Sequence, residues 1–122
     1  DELSSTMCIN NTIANVSSAV FRKLKDVDYI NFLKKAQSFR LAGDWYFYSK
    51  VLERGKIAYF KESLNYHRMQ KKSVTLTTSG KKEYEEICKM QDDIMSRVEI
   101  SDEVKEKIYK RRDNERRRFG IE

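Results

Sequence analysis

The chain has no proline, only four glycines and two cysteines, and a single tryptophan and a single histidine among 122 residues. Cys8 and Cys88 lie far apart and form no C-x-x-C pair, so we expect two reduced thiols instead of a metal or redox motif. No apolar run approaches the roughly 18 residues of a membrane span, and the N-terminus lacks the basic start and apolar stretch of a signal peptide. The first residue is Asp1 instead of an initiator Met, which suggests a segment of a longer protein.

Charge is abundant and unevenly distributed. Twenty-five basic and nineteen acidic side chains leave a net charge of +6, which favours an anionic partner such as a nucleotide, a nucleic acid or a membrane surface. Residues 61–82 carry six basic side chains against Glu62 alone. Residues 101–122 hold eight basic and six acidic side chains, so they predict a mixed-charge helix and not a basic arm.

The N-terminal part of the chain is predicted to combine short strands with two small helices. Residues 14–23 and 56–60 are apolar and partly alternating, which indicates strands. Asp26 is a suitable N-cap for a first helix that reaches about residue 40, and Gly43 is a natural left-handed stop for it. Asp44 then caps a second helix that Gly55 ends.

The C-terminal part is predicted to be a helical hairpin over residues 80–98 and 102–117, with Ser101 as the N-cap of its second helix. Helical spacing turns one set of side chains inward: Tyr84, Ile87, Ile94, Val98 and Ile108. It leaves another set in solvent: Glu85, Glu86, Lys89 and Asp92. The predicted fold class is therefore α+β and helix-rich, with one unit over residues 1–78 and a helical extension over residues 79–122.

The Gly-Asp-Trp sequence at residues 43–45 has two compatible interpretations. Asp44 can accept backbone N–H groups at the start of a helix and need no further role. A carboxylate fixed at a helix start is also a well-placed general base, and the Trp45 ring offers a surface on which a sugar can stack. Two classes without catalysis remain open: a basic module that binds nucleic acid, and a helical interaction module whose aromatic residues form its core.

Two segments carry a resemblance to a known family: NTIANVSSAVFRK and AGDWYFYSKVLERGKIAYFKESLNYHRMQKKSVT. They resemble the C-terminal, acceptor-binding half of bacterial family 2 glycosyltransferases with the GT-A fold. In that family an Asn-rich segment leads into a strand ending in Val-Phe-Arg, followed by Gly-Asp-Trp, a G-x-I-x-Y strand and a Leu-Asn-Tyr loop. The resemblance covers residues 10–76 and implies that the chain is a fragment of a GT-A domain.

The resemblance implies a role for individual residues. Asp44 matches the base that deprotonates the acceptor hydroxyl in an inverting transfer. Trp45, with Tyr46 and Tyr48, would shape the acceptor pocket. Four residues of the following loop would meet the donor diphosphate: Arg68, Lys71, Lys72 and Ser73.

The metal site implied by the family is altered in this chain. The loop histidine that can bind Mg²⁺ or Mn²⁺ aligns with Gln70, whose neutral amide is a poor substitute, while the only histidine is His67. Asp26-Val27-Asp28 has the letters of the family's Asp-x-Asp motif but opens an amphipathic helix, so we interpret it as a cap. The divalent metal is therefore expected in the full-length enzyme and not on this fragment.

These observations together predict an inactive fragment of a sugar-nucleotide-dependent glycosyltransferase of surface polysaccharide or glycoconjugate synthesis. Its expected partners are the nucleotide sugar, the sugar acceptor and a missing N-terminal nucleotide-binding half, with a second copy of the chain as another candidate. No sequence-specific nucleic acid is expected. The expected location is the cytoplasm, with peripheral contact at the inner face of the membrane as a candidate.

Overall fold

The computed structural model describes residues 1–122 except residues 67, 69, 71, 72 and 79 and the side chains of Thr75 and Leu76. Within that part of the chain five α-helices are joined by irregular segments. A π-helical turn at Leu3–Met7 and a 3-10 turn at Val16–Ser18 precede them. The helices are α1 (Tyr29–Gln37), α2 (Gly43–Leu52), α3 (Val74–Thr77), α4 (Gly80–Arg97) and α5 (Asp102–Arg118).

The two predicted strands are wrong, since the described residues contain no β-strand. Residues 14–23 contain the short 3-10 turn and continue as irregular chain, and residues 56–60 are irregular throughout. Among the described residues, no backbone–backbone hydrogen bond involves residues 20–27 or 56–66. A β-strand needs a neighbouring strand to pair with its backbone N–H and C=O groups. Neither segment has such a neighbour among the described residues. The α+β fold class, and the GT-A fragment inferred with it, are therefore corrected to an all-helical architecture.

The start of α1 differs from the prediction by two residues. Asp28, not Asp26, is its N-cap, and its Oδ1 accepts the N–H groups of Ile30 at 3.1 Å and Asn31 at 3.2 Å. Asp26 instead has a φ of 53°, the left-handed conformation that Asp tolerates better than most residues. The turn before the helix therefore uses both aspartates, one for the cap and one for the bend.

The junction between α1 and α2 also differs from the prediction. Gly43 is the first residue of α2 and not a left-handed stop, and Ala42 is the N-cap, so Asp44 lies in the first turn. A Cβ atom on Gly43 would lie 2.6 Å from the carbonyl oxygen of Ala36. Glycine is needed here because the end of α1 approaches the α2 backbone closely.

The two C-terminal helices are confirmed, with ends one residue from those predicted. Ser101 Oγ accepts the N–H of Val104 at 3.4 Å at the start of α5, as expected for an N-cap. Of the predicted inward residues, Ile87, Ile94 and Ile108 are buried, whereas Tyr84 and Val98 are half-buried.

The core lies where α2 and α4 meet the N-terminal turn. Met7, Met90, Ile94 and Ile108 are its most deeply buried large apolar side chains. A cluster of aromatic rings extends this core between α1 and α2: Phe32, Phe39, Tyr46 and Phe47. No helix in the described part of the chain combines the length and the apolar character needed to cross a membrane. The boundary after residue 78 stays a prediction.

Candidate functional site

An open cleft of about 730 Å³ lies beside the start of α2. Its walls come from the N-terminal segment, the α1–α2 junction and one side of both C-terminal helices. The charged and amide side chains that line it are Asn10, Asn11, Asp44, Glu83, Glu86 and Arg111. These side chains supply carboxylates, amides and one guanidinium, which are the groups that bind polar ligands.

Two buried side chains hold the N-terminal wall of the cleft in place. The indole Nε1–H of Trp45 donates to the carbonyl oxygen of Met7 at 2.8 Å, and Gln91 Nε2 donates to the carbonyl oxygen of Ile9 at 3.0 Å. Trp45 belongs to α2 and Gln91 to α4, so both helices bind the same short segment. The next two residues along the chain, Asn10 and Asn11, are thereby brought to the cleft.

The opposite wall is joined to α2 through Glu86. Its carboxylate accepts three consecutive backbone N–H groups, those of Arg40 at 2.6 Å, Leu41 at 2.7 Å and Ala42 at 2.9 Å. The N-cap residue Ala42 has no side-chain oxygen, so this carboxylate from another helix satisfies donors at the α1–α2 junction. Glu86 was predicted to lie in solvent, and this prediction is wrong because the side chain is half-buried across the interface.

The carboxyl group of Asp44, at the cleft, is partly shielded from water. Its Oδ1 accepts the N–H of Trp45 at 2.6 Å, and the Asn11 side chain also hydrogen-bonds to it. Much of the residue's surface is exposed, but atoms packed around the carboxyl group still remove water from it. This desolvation raises the pKa of Asp44, and the hydrogen bonds from Trp45 and Asn11 oppose the rise without cancelling it. A raised pKa makes this carboxylate a stronger proton acceptor than an ordinary aspartate.

The three aromatic residues predicted to shape an acceptor pocket belong to the buried core. Trp45, Tyr46 and Tyr48 each expose only 3% of their surface, and only Trp45 is among the residues that line the cleft. The Tyr46 ring stacks on Phe39 with a centroid separation of 5.8 Å. Burial first, and the charge of Asp44 second, raise the pKa of Tyr48. Trp45 therefore contributes to the wall of the cleft, whereas Tyr46 and Tyr48 pack in the core, and the contact of the three residues with an acceptor stays a prediction.

Arg68 and Ser73, the two described residues among those predicted to meet a donor diphosphate, do not line the cleft. Arg68 and Gln70 are exposed on an irregular segment, and Ser73 is half-buried with its N–H donating to the carbonyl oxygen of Gln70 at 3.3 Å. The predictions for His67, Lys71 and Lys72 lie outside the described residues. The described residues contain no group of three or more side chains suited to hold a metal ion.

Sequence reasoning missed several residues of the cleft. Glu83, Glu86 and Arg111 lie on helices whose polar residues are spaced as on an ordinary solvent-exposed helix face. No local signal marks them, because only the packing of α4 against the α1–α2 junction, and of α5 against α4, selects these side chains from their neighbours.

Comparisons with protein families, curated proteins and solved structures find no match to this chain. The resemblance to family 2 glycosyltransferases therefore rests on the quoted residues alone.

Proposed function

We propose that the chain supplies the acceptor-activating part of a sugar-nucleotide-dependent, inverting glycosyltransferase, with Asp44 as its general base. The observation that carries the proposal is the Asp44 carboxylate, which lies at the cleft with a raised pKa and is oriented by Trp45 and Asn11. A sugar hydroxyl is a weak nucleophile until a positioned base removes its proton. The expected biological role is the synthesis of bacterial surface polysaccharide or glycoconjugate.

In the proposed reaction an acceptor hydroxyl in the cleft attacks the anomeric carbon of the donor sugar. Its proton passes to Asp44 as the new glycosidic C–O bond forms. The bond between the anomeric carbon and the diphosphate oxygen breaks, and the nucleoside diphosphate leaves with the bonding electrons. This single displacement inverts the anomeric carbon.

The donor is proposed to bind on a separate polypeptide segment. The described cleft has three carboxylates and one guanidinium, which is an unfavourable environment for a diphosphate. Arg68, Lys71, Lys72 and Ser73 are proposed to face the donor from this chain. A Mg²⁺ or Mn²⁺ bound with the donor would neutralise diphosphate charge, and its ligands are expected mainly on the donor-binding segment.

An exposed apolar surface supports a polypeptide partner of this kind. Residues 17–25 and 54–65 are held side by side, since Asn65 Nδ2 donates to the Ser17 carbonyl at 2.8 Å and Arg54 Nη1 donates to the Lys25 carbonyl at 3.4 Å. Large apolar side chains on or next to these segments face solvent: Val20, Phe21, Ile57, Tyr59, Phe60, Leu64 and Tyr66. Apolar patches of this kind on soluble proteins commonly mark interaction sites.

The decisive test is turnover of the full-length gene product that carries these residues, with Asp44→Asn. Asparagine keeps an oxygen for the N–H of Trp45 but cannot accept the proton, so transfer should fall by about 10²- to 10⁴-fold. The Asp26→Asn variant, which changes an exposed aspartate away from the cleft, should retain activity. Near-native transfer by folded Asp44→Asn protein would reject Asp44 as the base.

A non-catalytic interaction module is the second candidate, and the exposed apolar surface on residues 17–25 and 54–65 also favours it. The basic segment 61–82 adds a weak, salt-sensitive affinity for nucleic acid to this alternative. Sequence-selective, sub-micromolar binding at physiological salt would support this class over the transferase.

A further inference from the structure

Residues 54–66 form a loop that exposes apolar side chains to an unusual degree. This fully described loop contains no helix or strand, and every one of its residues is exposed. Four large apolar side chains expose between 74% and 97% of their surface: Tyr59, Phe60, Leu64 and Tyr66. A cluster of exposed apolar side chains on a soluble protein commonly marks the place where another surface binds.

The loop and the segment beside it carry charge of almost one sign. The Asn65 Nδ2 atom donates to the Ser17 carbonyl oxygen at 2.8 Å and so holds residues 17–25 beside the loop. Glu62 is the only acidic residue of either segment. Basic side chains lie on both segments, and all of them are exposed: Arg22, Lys23, Lys25, Arg54, Lys56 and Lys61. A surface with six cations against one carboxylate attracts an anionic partner.

The apolar side chains distinguish between two anionic partners, a nucleic acid and a membrane surface. Bases stack on aromatic rings, and the aliphatic side chains of Ile57 and Leu64 offer no such platform. A lipid bilayer accepts both kinds of side chain, because aliphatic groups enter the boundary of the acyl chains and tyrosine rings lie at the level of the headgroups. Lysine and arginine side chains are attracted to anionic lipids. The composition of the loop therefore fits a membrane better than a nucleic acid.

The shape of the loop favours a fluid surface over a folded protein partner. Stable protein interfaces need closely matched shapes. Tyr59, Leu64 and Tyr66 protrude from an irregular backbone, and in the described structure no backbone–backbone hydrogen bond involves residues 56–66. Backbone N–H and C=O groups without partners are excluded from the hydrocarbon core, so only the side chains of the loop can enter it. A second copy of the chain would bring like charges together.

We infer that the 54–66 loop docks on an anionic membrane surface, with Tyr59, Phe60 and Leu64 inserted at the boundary between headgroups and acyl chains. The basic side chains of the loop and of residues 17–25 contact the anionic headgroups. The backbone of the loop stays in the hydrated headgroup layer, as in other proteins that bind at the interface without spanning the bilayer.

This inference goes beyond the proposed function and does not rest on it. No residue of the loop lines the cleft that contains Asp44. The side chains of Val20 and Phe21, on the neighbouring segment, stay exposed for the polypeptide partner of the proposed function. Loss of membrane binding and loss of transfer can therefore be observed separately.

The test is sedimentation of the 122-residue chain with lipid vesicles. One set contains phosphatidylcholine and phosphatidylglycerol at a ratio of about 2:1, and the other contains phosphatidylcholine alone. Partitioning onto the anionic vesicles should exceed that onto the neutral vesicles by about tenfold or more, and it should weaken as the salt concentration rises. Equal partitioning onto both sets, or no binding to the anionic vesicles, overturns the inference and returns the loop to a protein partner.

Matched variants locate the binding on the loop. Tyr59→Ala should weaken partitioning by about fivefold or more, whereas Tyr109→Ala, at an exposed position of α5, should change it by less than about twofold. Lys61→Glu should weaken it by about tenfold or more, and Lys110→Glu, the same change of net charge on α5, should have a much smaller effect. Circular dichroism shows whether each variant keeps its helices. Equal effects within either pair of folded variants would overturn the assignment to the loop.

A lipid with a spin label on its acyl chain measures insertion directly. In bicelles of the same anionic composition this lipid should broaden the NMR signal of the Leu64 methyl groups and leave that of Ile108, which is fully buried in the core, unchanged. A bound protein whose Leu64 signal stays sharp would be adsorbed by charge alone, which contradicts insertion. A single-stranded RNA oligonucleotide is the last probe. If Tyr59→Ala and Lys61→Glu weaken its binding but not that of the vesicles, the loop binds nucleic acid and the inference is wrong.

Discussion

Glu86 Oε2 accepts the backbone N–H of Leu41 at 2.7 Å, so a helix from the C-terminal end of the chain caps the junction that leads to Asp44. The same carboxylate also accepts the N–H groups of Arg40 and Ala42. The geometry of the Gly-Asp-Trp corner therefore depends on α4, although the sequence resemblance ends before that helix begins.

Removal of the Glu86 charge should destabilise the protein. In Glu86→Gln one carboxylate oxygen becomes an NH₂ group that faces backbone donors, so hydrogen bonds to a charged acceptor are lost. We expect the free energy of unfolding to fall by about 1.5–3 kcal/mol, the usual range for such bonds. Urea denaturation measures the change. Glu85→Gln, at the exposed neighbouring position, should stay within about 0.5 kcal/mol of wild type. Equal stability of the two variants would remove the proposed role of Glu86.

The close approach at Gly43 predicts an unfavourable effect of alanine. A Cβ atom there would lie 2.6 Å from the carbonyl oxygen of Ala36, and a backbone oxygen cannot turn aside as a side chain can. We expect Gly43→Ala to lower the free energy of unfolding by about 1–3 kcal/mol. This net loss is expected although alanine in a helix is favoured over glycine by roughly 1 kcal/mol.

Gly55→Ala is the matched control for this change. The added Cβ would meet the Val51 carbonyl oxygen at 3.5 Å, an ordinary contact, so a neutral or slightly stabilising effect is expected. Thermal unfolding of both variants gives the comparison. A Gly43→Ala protein as stable as Gly55→Ala would show that the α1–α2 junction is looser than described.

Arg112 is expected to matter more for stability than other arginines of α5. Its Nε donates to Gln91 Oε1 at 2.8 Å, and its Nη2 donates to the carbonyl oxygen of Cys88 at 3.1 Å and to Asp92 at 2.7 Å. Lysine cannot form all three of these hydrogen bonds, so Arg112→Lys should leave acceptors without a donor. We expect the free energy of unfolding to fall by about 1–3 kcal/mol. Arg117→Lys on the exposed side should be nearly neutral, and a similar loss in both variants would contradict the prediction.

The sequence predicted local features of the fold well and long-range features poorly. Helical periodicity located α4 and α5, and Ser101 marked the start of α5, because caps and amphipathic faces are properties of neighbouring residues. The strands were mispredicted at residues 14–23 and 56–60. A strand exists only where another strand pairs with it, and an apolar stretch cannot reveal whether that partner is present.

The residues of the candidate site also differ in whether the sequence alone could identify them. Asp44 could be identified from its Gly-Asp-Trp context, and the structure places it at the cleft beside the start of α2. Glu86 and Arg111 could not be identified, because each is one of many charged residues on a helix. They reach the cleft through tertiary contacts, those of α4 with the α1–α2 junction and those of α5 with α4.

The pKa of Asp44 predicts how stability changes with pH. Burial raises it above the ordinary value of 3.8, so the folded state binds a proton more tightly at this site than the unfolded state does. The resulting contribution to stability is fully present below the unfolded pKa and is lost as the pH rises through the folded pKa. The asparagine side chain of the Asp44→Asn variant does not titrate. The free energy of unfolding of wild type should therefore decline relative to that of the variant as the pH rises above about 4.

Two measurements check this expectation. Urea denaturation of wild type and Asp44→Asn from about pH 3 to about pH 7 gives the stability difference, which should favour the variant increasingly until Asp44 is fully ionised. A carbon NMR titration of the Asp44 carboxyl gives the pKa itself, and its midpoint should lie above 3.8. A midpoint below that value, or a difference that favours wild type as the pH rises, would mean that the hydrogen bonds from Trp45 and Asn11 outweigh desolvation. In that case Asp44 would be a weaker proton acceptor than a free aspartate, and the argument for a general base at this position would lose its physical basis.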